Sequence, residues 1–132
     1  MTVCVFDTGA LIALERRDAW MSKRVMYLRE TKASIIVPAP VLGEWWRGRS
    51  DWREKILAPM ILESLDPSLA KAAGEAIAKV GGATLADAVV MASAARAGAV
   101  VYTSDLDDLA RLQVYFPTVR VLSVRPRSGA DR

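Results

Sequence analysis

Histidine is absent from this chain of 132 residues, and cysteine occurs once, as Cys4. The lack of histidine excludes a Ser-His-Asp triad, a Cys-His pair and any zinc site with histidine ligands. A single cysteine excludes an internal disulfide and a cysteine-rich metal site. Cys4 lies in a short apolar segment, so we expect a buried, unreactive thiol. The side chains left for chemistry are Asp, Glu, Lys, Arg, Ser, Thr and Tyr.

Long hydrophobic runs are also lacking, since no uncharged apolar stretch is long enough to cross a bilayer. Residues 1–7 lack the basic segment, apolar run and cleavage site of a signal peptide. We therefore expect a cytoplasmic protein with no membrane partner. The net charge of +3 permits nucleic-acid binding without requiring it, because phosphate contacts depend on local basic patches.

Short apolar segments alternate with helical patterns along the chain. Buried strands are predicted at 3–6, 34–37, 99–102 and 119–124. Helices are predicted at 10–16, 20–29, 41–47, 52–65, 68–80, 84–97 and 106–112. Continuously apolar strands separated by helices predict an α/β fold with a parallel sheet covered on both faces. No internal linker is present, so we expect one domain over 1–124 and a flexible tail over 125–132.

Four acidic residues fall near the ends of these strands. Asp7 ends the first strand, Glu44 follows the second, Asp87 opens the helix before the third, and Asp105 follows the third. Ligands of open α/β sheets bind beyond the carboxyl ends of the strands, so the four side chains are predicted to converge there. Adjacent carboxylates repel each other by a few kcal/mol per pair, roughly, and a divalent cation removes that penalty. Ligand sets made only of oxygen suit Mg²⁺ or Mn²⁺.

Each acid also has a purely local interpretation. Asp7 is a good N-cap for the helix that follows it, and Asp87 fits the third position of a capping box. Asp105 and Asp108 favour the dipole of the next helix, and Glu44 is compatible with an exposed helical position. Taken one at a time, these residues leave both interpretations open.

Four segments together resemble a known family, the PIN domain. They are DTGALIAL at 7–14, VLGE at 41–44, DAVVMA at 87–92 and TSDLDDL at 103–109. Their order and spacing run through nearly the whole chain, and its compact length resembles the VapC-type toxins of toxin–antitoxin pairs. The resemblance implies a three-layer PIN-like fold with a central parallel sheet of four to five strands flanked by helices.

The resemblance also implies a Mg²⁺- or Mn²⁺-dependent endoribonuclease. Its catalytic and metal-binding residues would be Asp7, Glu44, Asp87 and Asp105, with Thr8, Thr103 and Asp108 in supporting roles. Thr103 either orders a ligand or ends its strand, and Asp108 either supports the site or serves the helix dipole. Gly9 stands where a small polar residue is common in the family, which leaves Thr8 as the hydroxyl beside Asp7.

Several basic residues lie close in sequence to these acids. Arg16, Arg47 and Arg49 are candidates for RNA-phosphate binding, although solvated helix ends explain them equally well. Arg120, Arg125 and Arg127 belong to the last strand and the tail, where a solvated basic segment is the simpler interpretation. Trp45 and Trp46 point about 100° apart on a helix, so one should face the core and the other a partner. The resemblance implies a cognate antitoxin and a homodimer.

Two other functions remain open at this level, and a third is disfavoured. The chain would be a non-catalytic α/β binding module if the acids are only caps and surface charges. It would be a DNA nuclease if the same site took a different substrate. An aspartate-nucleophile phosphotransfer domain is disfavoured, because DTG at 7–9 lacks the second Asp that common phosphatases of that kind carry two residues on.

Overall fold

The computed structural model describes residues 2–124. The expected flexible tail, with Arg125 and Arg127, lies outside the described residues. Within them the strands are β1 Val3–Phe6, β2 Ser34–Pro38, β3 Ile61–Glu63, β4 Val100–Thr103 and β5 Arg120–Ser123. The helices are α1 Thr8–Glu15, α2 Ala19–Glu30, α3 Ala39–Trp45, α4 Asp51–Leu57, α5 Pro67–Val80, α6 Leu85–Ala97 and α7 Leu106–Gln113.

The five strands form one parallel sheet in the order β3-β2-β1-β4-β5. β1 lies at the centre, and three of its four residues are buried because helices cover both faces. The α/β class and the parallel sheet predicted from the sequence are confirmed. Cys4 is fully buried in β1, as expected, and burial raises the pKa of its thiol to about 12.

The prediction of one helix over 52–65 is wrong. Helix α4 ends at Leu57, and the chain then turns through Pro59 into the short strand β3. Proline interrupts the helical hydrogen-bond ladder, and Ile61 and Leu62 pair in parallel with β2. Pairing with a distant strand decided this segment, whose apolar pattern alone fitted either structure.

Helix α3 also ends earlier than predicted, at Trp45 rather than Arg47. Trp45 is buried with 3% of its surface exposed, and Trp46 leaves the helix with extended backbone angles. Gly48 therefore lies in the following loop and does not close the helix. The expectation that one tryptophan faces the core is confirmed by Trp45, and Trp46 is half-buried. A partner contact of Trp46 stays a prediction.

No single helix within residues 2–124 is long and apolar enough to cross a membrane. Helices α5 and α6 reach that length and composition only as a pair, which is bent by 116° between them.

Candidate acidic site at the carboxyl edge of the sheet

Asp7 is the most buried acidic residue described, with 7% of its surface exposed. It directly follows β1 and caps α1, because its Oδ1 accepts a hydrogen bond of 2.9 Å from the backbone N–H of Ala10. Burial raises the pKa of Asp7 from 3.8 to about 6. Hydrogen bonds from Thr103 and Ala10 oppose that rise, and the charge of Asp87 adds to it. The carboxylate is therefore held in a fixed place at an energetic cost.

Thr103 connects two of the predicted acids. It is fully buried at the end of β4, and its hydroxyl donates to the carboxylate of Asp7. Its Oγ1 also accepts a hydrogen bond of 2.9 Å from the backbone N–H of Asp105. Thr103 therefore ends its strand and also contacts the Asp7 carboxylate and the loop after β4, so both interpretations stay open.

Glu44 is tied to the start of α1 rather than standing free. The Thr8 hydroxyl donates to Oε1 of Glu44 over 2.6 Å. Thr8 immediately follows Asp7 in the chain, so this bond brings α3 to the helix that Asp7 caps. Glu44 itself is exposed, which leaves its second oxygen accessible.

Asp87 lies in the first turn of α6 and is half-buried. Its backbone N–H donates to Oγ1 of Thr84 over 3.1 Å, so Thr84 is the N-cap of α6 and Asp87 takes the predicted third position of the capping box. Burial raises the pKa of Asp87, Thr84 opposes the rise, and the charges of Asp108, Glu44 and Asp105 add to it. These like-charge effects show that the acids from α3, α6 and α7 share one electrostatic field around Asp87.

Asp105 caps α7, since its Oδ1 accepts a hydrogen bond of 3.3 Å from the backbone N–H of Asp108. The pKa of Asp108 is raised by its side-chain hydrogen bond with Asp105 and by the charge of that residue. Both side chains are exposed. Asp108 therefore acts directly on Asp105 and contributes to the field at Asp87.

The donor atoms of this acidic site are carboxylate and hydroxyl oxygens, which are the ligands that Mg²⁺ and Mn²⁺ prefer. The raised pKa values of Asp7 and Asp87 show that burial and neighbouring charges disfavour ionisation there, which a cation would reverse. Within residues 2–124, however, no group of three or more acidic or cysteine side chains is arranged to hold a metal ion as it stands. The acids meet at one edge of the sheet, but they are not a finished ligand set.

The predicted RNA-binding arginines are divided by the structure. Arg16 and Arg47 border a shallow pocket of about 430 Å³ that Glu44 also lines. Arg47 additionally donates to the backbone oxygen of Trp46 over 2.8 Å. Arg49 instead pairs with acidic residues of α4, Asp51 at 3.5 Å and Glu54 at 3.6 Å. Arg16 and Arg47 are therefore better placed beside the acidic site than Arg49.

Sequence reasoning did not anticipate the close approach of Ser104 to Gly9. A Cβ atom added at Gly9 would overlap the Ser104 hydroxyl and lie 2.6 Å from the Ser104 Cβ. Gly9 is thus required where the loop after β4 packs on the first turn of α1. Ser104 places its hydroxyl in the space that a side chain at position 9 would occupy.

The fold is shared with solved structures of low sequence identity. A chain of VapBC2 from Rickettsia felis, bound to a DNA fragment from their promoter, superposes with a TM-score of 0.73 at 12% identity, covering 92% of this chain and 98% of the other. A chain of DNA-bound VapBC from Salmonella typhimurium superposes with a TM-score of 0.71 at 18% sequence identity, and the match covers 95% of this chain and 100% of the other. A chain of VapBC-1 from nontypeable Haemophilus influenzae superposes with a TM-score of 0.70 at 13% sequence identity, and the match covers 93% of this chain and 98% of the other.

No family model and no curated protein matches the sequence. The similarity therefore concerns the fold, and the expected PIN-like architecture is confirmed over nearly the whole chain.

Proposed function

We propose that this chain is a Mg²⁺- or Mn²⁺-dependent endoribonuclease that acts in the cytoplasm as the toxin of a toxin–antitoxin pair. The observation that carries the proposal is the convergence of acids from four separate elements around the buried Asp7 and half-buried Asp87. Repulsion among these carboxylates disfavours the folded state in the absence of a cation, and a divalent cation that also binds phosphate would relieve it.

Asp7, Glu44, Asp87 and Asp105 would hold the metal. The chemistry that a bound Mg²⁺ or Mn²⁺ supplies at such a site is activation of water and stabilisation of the leaving oxygen. Because Glu44 and Asp105 are exposed, their side chains can change rotamer to complete the ligand set. Asp7 is already fixed by the N–H of Ala10 and the hydroxyl of Thr103, so it provides the rigid part of the site.

The remaining polar residues position these acids and the substrate. Thr8 orients Glu44, and Asp108 holds Asp105 at the start of α7. Arg16 and Arg47 bind the RNA backbone beside Glu44. Attack by water leaves a 5′ phosphate and a 3′ hydroxyl and requires no 2′ hydroxyl as nucleophile. Preference for RNA then depends on binding contacts.

The partners follow from the same proposal. Solved chains with this fold include those of VapBC structures and of FitAB bound to a DNA fragment. We infer that this chain likewise binds a cognate antitoxin and forms a homodimer. Light scattering of the purified chain should give twice the monomer mass, and a monomeric mass would contradict the homodimer.

A non-catalytic binding module is the second candidate, because one observation favours it. Asp7 and Asp105 already serve as helix N-caps, and that local role alone would account for both residues. A DNA nuclease is distinguished by running matched RNA and DNA substrates in the same assay.

The deciding experiment titrates Mn²⁺ calorimetrically into wild type and Asp7→Asn, with cleavage of a mixed RNA pool in parallel. Asparagine keeps the helix cap, so we expect a folded variant that loses metal binding and at least about 100-fold of its cleavage rate. The matched control is Asp66→Asn, which alters another N-cap carboxylate outside the acidic site, at the start of α5.

Wild-type behaviour of Asp7→Asn in both assays would refute the role of the acidic site. A wild type that binds neither Mn²⁺ nor Mg²⁺ with RNA present would favour the binding module. Products that end in a 2′,3′-cyclic phosphate would refute attack by water.

A further inference from the structure

A second basic surface lies outside the elements that carry Arg16 and Arg47. It is a shallow pocket of about 460 Å³ between the end of α5 and α7, lined by Lys79, Val80, Arg111, Val114 and Tyr115. We call it the basic–aromatic pocket. Val114 has 83% of its surface exposed, and both cations are exposed as well. Within residues 2–124, neither cation is engaged in an ion pair.

The basic–aromatic pocket and the acidic site share helix α7, which carries Asp108 in its first turn and Arg111 in its last. Asp108 and Arg111 are three residues apart on α7, which places them on the same side of the helix, and Tyr115 lies in the turn just after the helix ends. A rise of 1.5 Å per residue puts Arg111 about 4.5 Å along the helix axis from Asp108. Asp108 and Arg111 also interact electrostatically. The charge of Arg111 lowers the pKa of Asp108, whereas Asp105 raises it.

Arg111 is held in place by the glycine turn before α6. Its Nη1 donates to the backbone oxygen of Gly81 over 3.4 Å and lies 2.5 Å from the point where Gly82 would carry a Cβ. A guanidinium group has five N–H donors, so most of them stay available for a ligand. The absence of a side chain at Gly82 therefore brings Arg111 beside the turn that leads to Asp87.

The chemistry of the basic–aromatic pocket matches single-stranded nucleic acid. Lys79 and Arg111 attract phosphate groups, and the ring of Tyr115 with the exposed Val114 provides an apolar surface on which a base can stack. The Tyr115 ring is supported by Phe116, whose centroid lies 4.9 Å away in an edge-to-face arrangement. An acidic peptide would use the two cations but would leave the aromatic surface without a role.

We propose that the basic–aromatic pocket binds the stretch of single-stranded RNA next to the phosphate at the acidic site. This inference rests on the proposed function and adds a second contact surface to it, on the α7 side. Together with Arg16 and Arg47 on the α1 and α3 side, the pocket gives the strand contacts on both sides of the acids.

The test measures binding apart from cleavage. A fluorescein-labelled oligouridylate of about ten nucleotides is titrated in EDTA, and its anisotropy is followed at several salt concentrations. We expect Lys79→Gln to weaken binding and to lower the salt slope by about 0.7. Lys71→Gln is the matched control, because it removes the same charge from the same helix outside the pocket. It should leave the salt slope close to that of wild type.

The aromatic contact is tested separately. Tyr115→Leu should weaken binding about five-fold or more through loss of base stacking. Tyr115→Phe keeps the ring and should bind like wild type. Thermal unfolding of both variants shows whether the change at Tyr115 has disturbed its packing on Phe116, and the comparison is made at a temperature where both are folded.

Unchanged affinity and salt slope in Lys79→Gln and Tyr115→Leu would overturn the proposal, as would a wild type that does not bind the oligonucleotide. The proposed nuclease would still stand if that wild type cleaved the RNA pool with Mn²⁺. Conversely, weakened binding in these variants with no cleavage by wild type would support the pocket and refute the enzyme.

Discussion

Asp7 combines three local properties at one position. It follows a buried strand, caps the next helix and lies within electrostatic range of Asp87. A buried carboxylate of this kind is stable when protonated or when a cation compensates its charge. Its fixed hydrogen bonds to Ala10 and Thr103 therefore maintain an arrangement that is unfavourable for the ionised protein alone.

The raised pKa of Asp7 predicts a specific pH dependence of stability. Between pH 3.8 and about pH 6, Asp7 stays protonated in the folded protein but is ionised in the unfolded chain. The contribution to stability is present below pH 3.8 and is lost as the pH rises through 6. A rise from 3.8 to about 6 corresponds to about 3 kcal/mol, which we expect as the decrease in unfolding free energy from pH 3.5 to 7 without metal.

Urea denaturation at several pH values measures this decrease, and Asp7→Asn is the comparison because its side chain does not titrate. The difference between the two curves gives the contribution of Asp7 together with its interaction with Asp87. A wild type whose stability changes with pH in parallel with the variant would contradict the prediction.

The contact between Gly9 and Ser104 gives a second residue-scale prediction. Gly9→Ala should destabilise the fold by about 1–3 kcal/mol, because its Cβ would overlap the Ser104 side chain. In a Ser104→Gly background most of that loss should disappear, since only the backbone nitrogen of residue 104 then stays within 3.2 Å. The coupling energy from the double-mutant cycle, measured by urea denaturation, reports the contact directly. Strictly additive effects would show that the two residues do not interact.

Helix α6 is the element that brings Asp87 to the sheet. Most of its residues are buried on all sides, which is typical of a helix inside the core rather than at the surface. Thr84 starts the helix, because its Oγ1 accepts a hydrogen bond from the backbone N–H of Asp87. Gly98 ends the helix in a left-handed conformation. The position of Asp87 therefore depends on the cap as well as on packing.

Loss of this cap should weaken α6. Thr84→Ala should lower the unfolding free energy by about 1 kcal/mol, and Thr84→Ser should recover most of it, because serine also caps helices. Chemical denaturation of the three proteins measures the difference. Equal stability of all three would mean that packing alone fixes the start of the helix.

Strand β3 is an element that depends on tertiary contacts. Its last residue, Glu63, accepts a hydrogen bond of 2.6 Å from the hydroxyl of Ser93 and one of 3.0 Å from Arg96. Arg96 also binds Asp66 over 2.9 Å at the cap of α5. These contacts span about 30 residues of sequence, so inspection of 61–63 alone does not reveal them.

The whole molecule places the acids at one edge because its strands are parallel and β1 lies between β2 and β4. The loops after β1 and β4 carry Asp7 and Asp105, and helix α3 after β2 carries Glu44. This arrangement matches the general position of ligands in open α/β sheets. The proposed metal would therefore connect elements from both ends of the chain.

Metal binding across these elements should stabilise the entire fold. At a metal concentration 100 times its dissociation constant, the unfolding free energy should rise by about 2.7 kcal/mol. We expect Mn²⁺ to raise the melting temperature of wild type at pH 7, while Asp7→Asn should show little change. Thermal unfolding scans at increasing Mn²⁺ concentration measure the shift in melting temperature of both proteins. An equal shift in both proteins would indicate metal binding outside the acidic site.

The sequence alone determined the α/β class, four of the five strands and the caps of α1 and α6. These features arise from local preferences: buried β-branched residues, side chains that accept backbone N–H groups, and glycine after a helix. The order of the four acids along the chain, together with the parallel strands, was also enough to predict their common edge.

Tertiary structure alone decided β3, the early end of α3 and the contacts within the site. Strand pairing assigned 61–63, burial of Trp45 fixed the end of α3, and the approach of two loops joined Gly9 to Ser104. The environment of Asp7 belongs to the same class, because its burial and its bond with Thr103 depend on residues about 100 positions away. Each of these features depends on contacts between distant segments, and the free energy of those contacts cannot be inferred from a local sequence pattern.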